Sequence, residues 1–380
     1  MSFQNSNKPL KDVRKNLKVS WYRCPIDPAS FRQLMQPNDF NGWVQAGGHL
    51  FIFFLTSSLC IFFAIQELWV LFFVSLFFHC TSACFFKGVA AHELGHGTVF
   101  KTKSLNKIFL LIYSLLSWHN HHEYNISHTY HHRYTLHPEG DREVVLPLEV
   151  LIGNPIYLLQ IFTFNFTGGP VTSGLVPIVK GTIQTAFGGN GASIISEEWS
   201  KAIYTAHNEE RRKAVIWARI ILIFHISLII LSIWIGFWAL ILVFSTQQFT
   251  ANWLKYFVGL PMHCGLRSDV SDFRKCVRSI TLDPVSEFLY WRMNWHLEHH
   301  MFAGIPCYNL KKIHRLVAYD MPKVRTLFGA WKEMIEIKRR QDIDPDYEYD
   351  TPVPNNKLKK NKKNHNLTTS IGDLAPDSLK

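Results

Sequence analysis

The sequence predicts an all-α integral membrane protein: four transmembrane helices paired as two hairpins, with a helical cytosolic cap that carries grouped histidines. Three observations predict it. Apolar residues make up 47% of the 380, with 29 Phe and 12 Trp, and they are clumped into runs instead of recurring at a helical or strand period. Four of those runs approach the roughly 20 residues that a helix needs to cross about 30 Å of hydrocarbon. The basic residues, finally, gather on one side of these runs.

The runs come in pairs. Gly48 to Ile65 and Leu68 to Phe86 are separated only by Gln66 and Glu67, and Val215 to Ile235 and Phe237 to Phe257 pivot at Gly236. Turns this tight leave almost nothing on the far side, so the N-terminal segment 1–47, the stretch 87–213 and everything from 258 onward emerge on one face. That face carries nearly all the Lys and Arg, which makes it the cytosolic one and puts both termini there. Segment 1–47 has Lys8, Lys11, Arg14, Lys15, Lys18, Arg23 and Arg32 and no apolar stretch with a small-residue cleavage site, so no signal peptide is expected. The membrane domain is expected over 48–344. Within it, Ile108 to Trp118 and Pro155 to Phe166 are too short to span and are expected at the interface or under the cap, and the Gly-, Ser- and Thr-rich stretch 167–195 is expected to be a loop. The tail 345–380, with five lysines between Lys357 and Lys363, is expected to be disordered.

The formal charge is +11, but no recognition helix, zinc finger or single-strand-binding pattern accompanies it, and the excess sits beside apolar spans. Nucleic acid is therefore excluded as a partner. The seven cysteines, Cys24, Cys60, Cys80, Cys84, Cys264, Cys276 and Cys307, are odd in number and form no paired framework, which fits a reducing compartment.

The chemistry lies in the 19 histidines. Nine fall into groups just beyond a hairpin: His92 and His96 in HELGH, His128, His131 and His132 in HTYHH, the single His263, and His296, His299 and His300 in HLEHH. On a helix, residues i and i+4, or i, i+3 and i+4, project from one face and can converge on a common point. Nine imidazoles suit two metal ions with four or five nitrogens each, and nitrogen ligands alone leave iron, copper and zinc open. With histidine at about one position in twenty, HxxHH would arise by chance roughly 0.05 times in such a chain, so two copies are not an accident. HELGH alone also matches HExxH, in which two histidines bind zinc and the glutamate activates water in a protease. That alternative leaves six grouped histidines without a role.

In this order and at these distances from the spans, HELGH, SHTYHH and HLEHH resemble the three histidine boxes of the membrane fatty acid desaturase and hydroxylase superfamily, over about residues 45 to 320. The resemblance implies a di-iron centre held by His92, His96, His128, His131, His132, His296, His299 and His300. GLPMHCGL resembles the segment that supplies one further ligand, here His263. Animal acyl-CoA desaturases have an asparagine one turn before that histidine; Gly259 stands here, and the short first box leans toward the bacterial-type desaturase branch and, more distantly, the alkane monooxygenases. What the resemblance implies is O₂-dependent desaturation of a fatty acyl chain or acyl lipid, with hydroxylation of an alkyl, sterol-like or carotenoid substrate as the alternative. No fused cytochrome b5 segment and no flavin or nicotinamide glycine fingerprint is present. Electrons are thus expected from an external, acidic donor of ferredoxin or cytochrome b5 type, steered by the basic face.

Carboxylates and imidazoles around the boxes are candidates for orienting the ligands: Glu93, Glu298, Asp141 and Asp269, with His119, His121 and His122 as further candidates. His79 and His225 sit inside spans and are expected to be neutral and bonded to neighbouring helices.

Overall fold

The computed structural model describes residues 8–191 and 196–354. Among these the chain is predominantly helical, and two two-residue strands, Ile280–Thr281 and Arg325–Thr326, pair in parallel. Three helices are long and apolar enough to cross a membrane: Asp39–Ile65, Trp69–Gly95 and Asn208–Trp234, each of 27 residues, with mean hydropathy 2.1, 1.8 and 2.5 in their most apolar windows. At 1.5 Å per residue the first and third are roughly 40 Å long. Only 28% of the window is buried in the first and third. Phe51, Phe62, Val70, Phe78, Ile223, Ile230 and Trp234 point outward and exposed, surface that lipid would cover and water would not.

Local chemistry sets the ends of these helices. The Asn38 side chain accepts from the Asn41 amide and caps the first, which stops at Gln66 and Glu67, the latter at φ 55°. Trp69–Gly95 then runs back against it: the Thr56 hydroxyl meets His79 Nδ1 at 2.7 Å and His49 Nε2 donates to the Ser82 carbonyl at 3.1 Å. The third helix ends at Gly236, whose φ of +69° lets its amide and that of Phe237 return to the Ile233 and Ser232 carbonyls, the usual glycine-ended helix stop. His79 and His225 are bonded to neighbouring segments as expected, through the Val243 and Leu115 carbonyls.

Four expectations are corrected. The stretch 237–257 is not one helix. It comprises a π-helical turn at Ile241–Ser245, a 3-10 turn at Gln247–Phe249, an extended Thr250 that bridges Phe164, and the helix Trp253–Gly259. The run Ser245 to Asn252 is the cause: its polar side chains bond to backbone elsewhere, as when Gln247 Nε2 donates to the Leu116 carbonyl and Asn252 Nδ2 to that of Ser173, and such bonds compete with a helical ladder. Second, 167–195 is not all loop, because Leu175–Ala186 is a helix. Third, the first expected span, found as the α-helix Gly48–Ile65, is extended at its start by Asp39–Gly42 and a π-helical turn at Trp43–Gly47. Helices Leu10–Asn16 and Pro28–Leu34 precede a first long helix that begins at Asp39. Fourth, the tail starts packed: Lys275 donates to the Thr351 carbonyl, Tyr349 to Glu333, and Arg267 pairs with Glu348. The rest of the expected disordered tail, 355–380, lies outside the described residues.

The two shorter apolar stretches are helices, Lys103–Leu116 and Pro155–Phe162. The first packs on the long helices through the Tyr113 hydroxyl, which donates to the Ala46 carbonyl. All seven cysteines are buried and free.

Candidate metal centre

Each box sits on a short helical element fixed by its own local chemistry. The second long helix breaks at Lys87 (ψ 130°) and Gly88 (φ +73°), a backbone that glycine adopts without strain, and this turn aims the helix Ala91–Gly95 inward. Gly95 allows that helix to touch the helix His121–Tyr134, since a Cβ there would come within 2.6 Å of Asn125 Oδ1. Box two lies on the helix His121–Tyr134, capped by the Asn120 side chain, and box three on His296–Met301.

All nine grouped histidines come together, as two adjoining sets. His92, His96, His128, His132 and His299 form one; His131, His263, His296 and His300 form the other, and within each set the candidate ligand atoms all lie within 4.8 Å of one another. The i, i+3, i+4 histidines therefore do not converge on a single point. In box two the i, i+4 pair, His128 and His132, serves the first set and His131 the second. In box three His296 and His300 serve the second and His299 the first. The sets touch where the His132 and His300 rings stack, 4.5 Å apart.

The arrangement fits metal ions better than it fits hydrogen bonding. His299 Nε2 lies 2.8 Å from His92 Nε2 and 3.1 Å from His132 Nε2; His296 Nε2 lies 3.0 Å from His263 Nε2 and 3.1 Å from His300 Nε2. A ring nitrogen offers one proton or one lone pair and cannot satisfy two such neighbours. Two nitrogens about 2.1 Å from one ion and at right angles to it lie about 3 Å apart. The buried Nε2 atoms of His96 and His128 have no hydrogen-bond partner, and an ion would give them one.

The outer ring nitrogens are held by partners. His131 Nδ1 meets Asp141 Oδ2 at 2.8 Å, His128 Nδ1 meets Glu143 Oε1 at 3.0 Å, His92 Nδ1 the Tyr124 hydroxyl at 3.0 Å, His263 Nδ1 the Cys276 carbonyl at 3.0 Å and His300 Nδ1 the Thr135 hydroxyl at 3.1 Å. Glu93 Oε1 lies 3.3 Å from His299 Nδ1. Such partners fix the ring orientation of a ligand.

Burial, reinforced by the neighbouring imidazoles, holds His128, His132, His296, His299 and His300 well below the ordinary histidine range, and His263 at about 3. These rings are thus neutral, the state that binds a metal. Burial would lower His131 too, but Asp141 outweighs it and holds it up. Burial would raise Asp141, yet His131 and the Leu136 amide keep it low.

Of the other candidates, Asp141 and Glu93 stand beside the grouped histidines and the rest do not. Glu298 turns away and bonds Ser279 and His314, both at 2.6 Å, because on its short helix it faces opposite to the box histidines. Asp269 is exposed. His119, His121 and His122 lie outside both sets, and His122 faces Glu210. Glu143, Tyr124 and Thr135 were missed. Glu143 was legible as the third acid of HPEGDRE, two residues past Asp141; the other two carry no sequence signal.

The fold and the centre define a helical protein of membrane type with a buried polyhistidine site able to bind metal. Residues 67–331 match the fatty acid desaturase family, and the chain belongs to that family. It is also 23% identical over 256 residues to dihydrorhizobitoxine desaturase of Bradyrhizobium elkanii. That match covers 63% of this chain and 66% of the relative, just under two thirds of its length.

Proposed function

We propose that the protein is an oxidoreductase that desaturates a fatty acyl chain or acyl lipid at a di-iron centre, with O₂ as co-substrate. The observation that carries this reading is the pair of adjoining imidazole sets, five and four, inside a chain of the desaturase family. His92, His96, His128, His132 and His299 would hold one iron and His131, His263, His296 and His300 the other. Two bound irons with O₂ supply an oxidant strong enough for an unactivated methylene, which no side chain can be. The balance is one CH₂–CH₂ unit, O₂, two electrons and two protons in, and one CH=CH unit and two waters out. The chain's own part is to fix the ligand rings through Asp141, Glu143, Tyr124, Thr135 and the Cys276 carbonyl, and to keep the site dry.

The same reading puts four apolar segments in the membrane as two hairpins entering from the cytosol, with both termini and the centre on that face. The irregular backbone of the fourth segment is compatible with membrane depth because Gln247, Gln248 and Asn252 are fully buried in protein. Electrons would come from an acidic protein of ferredoxin or cytochrome b5 type. Exposed Arg14 and Arg133 both act on Tyr130, toward the C-terminal end of the box-two helix; Arg133 is next in sequence to His132, and a donor steered by such charge delivers electrons more slowly as salt rises.

The test is mass spectrometry of lipids from cells that express the chain. An acyl species lighter by about two mass units, absent with a His299→Ala variant, supports the reading; a gain of about sixteen would make the protein a hydroxylase. Proteolysis that is lost on Glu93→Gln would overturn both.

A further inference from the structure

A stretch without regular secondary structure, Trp21 to Cys24, crosses the ends of two of the helices that carry the histidines. Trp21 Nε1 donates at 2.8 Å to the carbonyl of Arg133, in the last turn of His121–Tyr134. Two residues on, one nitrogen of the Arg23 guanidinium donates to the Met301 carbonyl at 2.7 Å and to the His300 carbonyl at 3.4 Å, at the end of His296–Met301. Between the two side chains lies Phe273, fully buried. The Trp21 ring stacks on it at 3.9 Å, the Arg23 guanidinium stands 5.0 Å from its centre, and its ring is 5.7 Å from that of His300. Phe273 also opens the turn Phe273–Cys276, whose last carbonyl meets His263 Nδ1.

Tyr22 has other partners, as alternation along an extended chain requires. Its amide donates to the Ser271 carbonyl at 2.9 Å, its hydroxyl to Asp320 at 2.6 Å, and Arg274 covers its ring at 3.9 Å. Tyr22 thus anchors the stretch and leaves Trp21 and Arg23 to the boxes. The carbonyls they bind are those of Arg133, next to His132, and of His300 itself, and His132 and His300 are the rings that stack where the two sets meet.

The last carbonyls of a helix lack donors of their own and carry partial negative charge. A helix of six residues, which is all that box three has, does not hold its own place and depends on such contacts. A half-buried guanidinium is costly unless paired. Among the described residues no carboxylate pairs with Arg23, and burial lowers it only to about 10, so near neutral pH it is a charged donor. The helix-end carbonyls take the place of the missing carboxylate.

We propose that Trp21 and Arg23 are positioning residues of the metal centre: by holding the ends of the box-two and box-three helices against Phe273, they set how His132 and His300 meet and with it the geometry of both imidazole sets. The proposal rests on the reading that these sets bind iron. Both residues precede 67–331, the stretch that matches the desaturase family.

The test is competition for iron(II) between the full-length, iron-loaded protein in detergent and the chelator ferrozine, with the visible spectrum of the cobalt(II)-loaded protein as a reading of ligand geometry. Arg23→Met keeps much of the side chain's length and removes its charge and donors. It should weaken iron binding about tenfold, the low end of what losing a ligand's supporting partner costs, and alter the cobalt spectrum. Arg23→Lys, which keeps a charged donor, should recover most of both. Trp21→Phe keeps a ring to stack on Phe273 but loses the N–H, and should weaken binding a few-fold. Native affinity and an unaltered spectrum in Arg23→Met overturn the proposal, even where its unfolding temperature falls, because that pattern belongs to general packing. Should Arg23→Met fail to fold, Arg23→Gln and Trp21→Phe decide, and native values in both overturn it. Iron held unchanged by the variants sinks this inference alone, whereas a native protein that binds no iron sinks the reading beneath it.

Discussion

The two imidazole sets are cut from the same boxes but held differently. In the four-membered set every histidine is buried, and three of the four are tied at the outer nitrogen: His131 to Asp141, His263 to the Cys276 carbonyl and His300 to Thr135. In the five-membered set His96 and His132 are only half-buried, His132 Nδ1 has no partner, and the carboxyl that faces His128, Glu143, is raised by burial to about 7. Both sets leave an Nδ1 unpartnered, that of His296 in the smaller and of His132 in the larger, so the sets differ in burial and in their carboxyls, Asp141 being held low and Glu143 raised. Under the di-iron reading the HxxHH spacing has a use: its i, i+4 pair would serve one ion and its third histidine the other, so a single helical turn would tie the two sets together.

The largest effect expected from that contrast is at His263, which belongs to the four-membered set alone and to no box. His263→Ala should lower turnover by at least about a hundredfold and remove about one metal ion per chain while the protein still inserts. Metal analysis with a membrane-extraction assay checks this, and retained activity removes His263 from the centre. Next comes Asp141→Asn, which deprives His131 of its charged partner and should weaken metal binding about 10- to 100-fold. Glu143→Gln should cost less, near the lower end of that range, because burial already leaves Glu143 partly neutral near pH 7. Equal losses in the two variants, measured by chelator competition, would erase the proposed difference between the sets.

The smallest effect is on pH. His128, His132, His263, His296, His299 and His300 have lowered values in the folded chain, so below about 6.5 the unfolded chain takes up protons that the folded one refuses. Their contribution to metal-free stability is complete above that pH and is lost as pH falls from about 6.5 toward about 3; His131, raised by Asp141, and the carboxyls of Glu123 and Glu143, raised by burial to about 7, work in the other direction but are outnumbered. Thermal unfolding of the metal-free protein should therefore shift to lower temperature between about pH 7 and 5, and an upward shift would contradict it.

Much of this was legible in the sequence because its signals are local. Helical spacing and position after a span were enough to select all nine histidines, and clumped apolar runs marked three long helices. What escaped depends on the third dimension. Hydropathy averaged over 237–257 hides Ser245 to Asn252, whose side chains bond backbone from other segments and so unwind the expected helix. Proximity in sequence favoured Glu298 inside its box over Glu143 outside one. Which way a side chain leaves a one-turn helix reverses that order, since Glu298 faces Ser279 and His314 while Glu143 reaches His128. The division of each HxxHH box between two sets likewise needed the boxes packed against one another.

The iron-to-protein ratio of the intact chain, purified without added metal and read by elemental mass spectrometry, tests the central claim most directly. Two sets of nitrogen ligands predict about two irons per chain. A single zinc, or no metal bound by these nine histidines, would contradict the account.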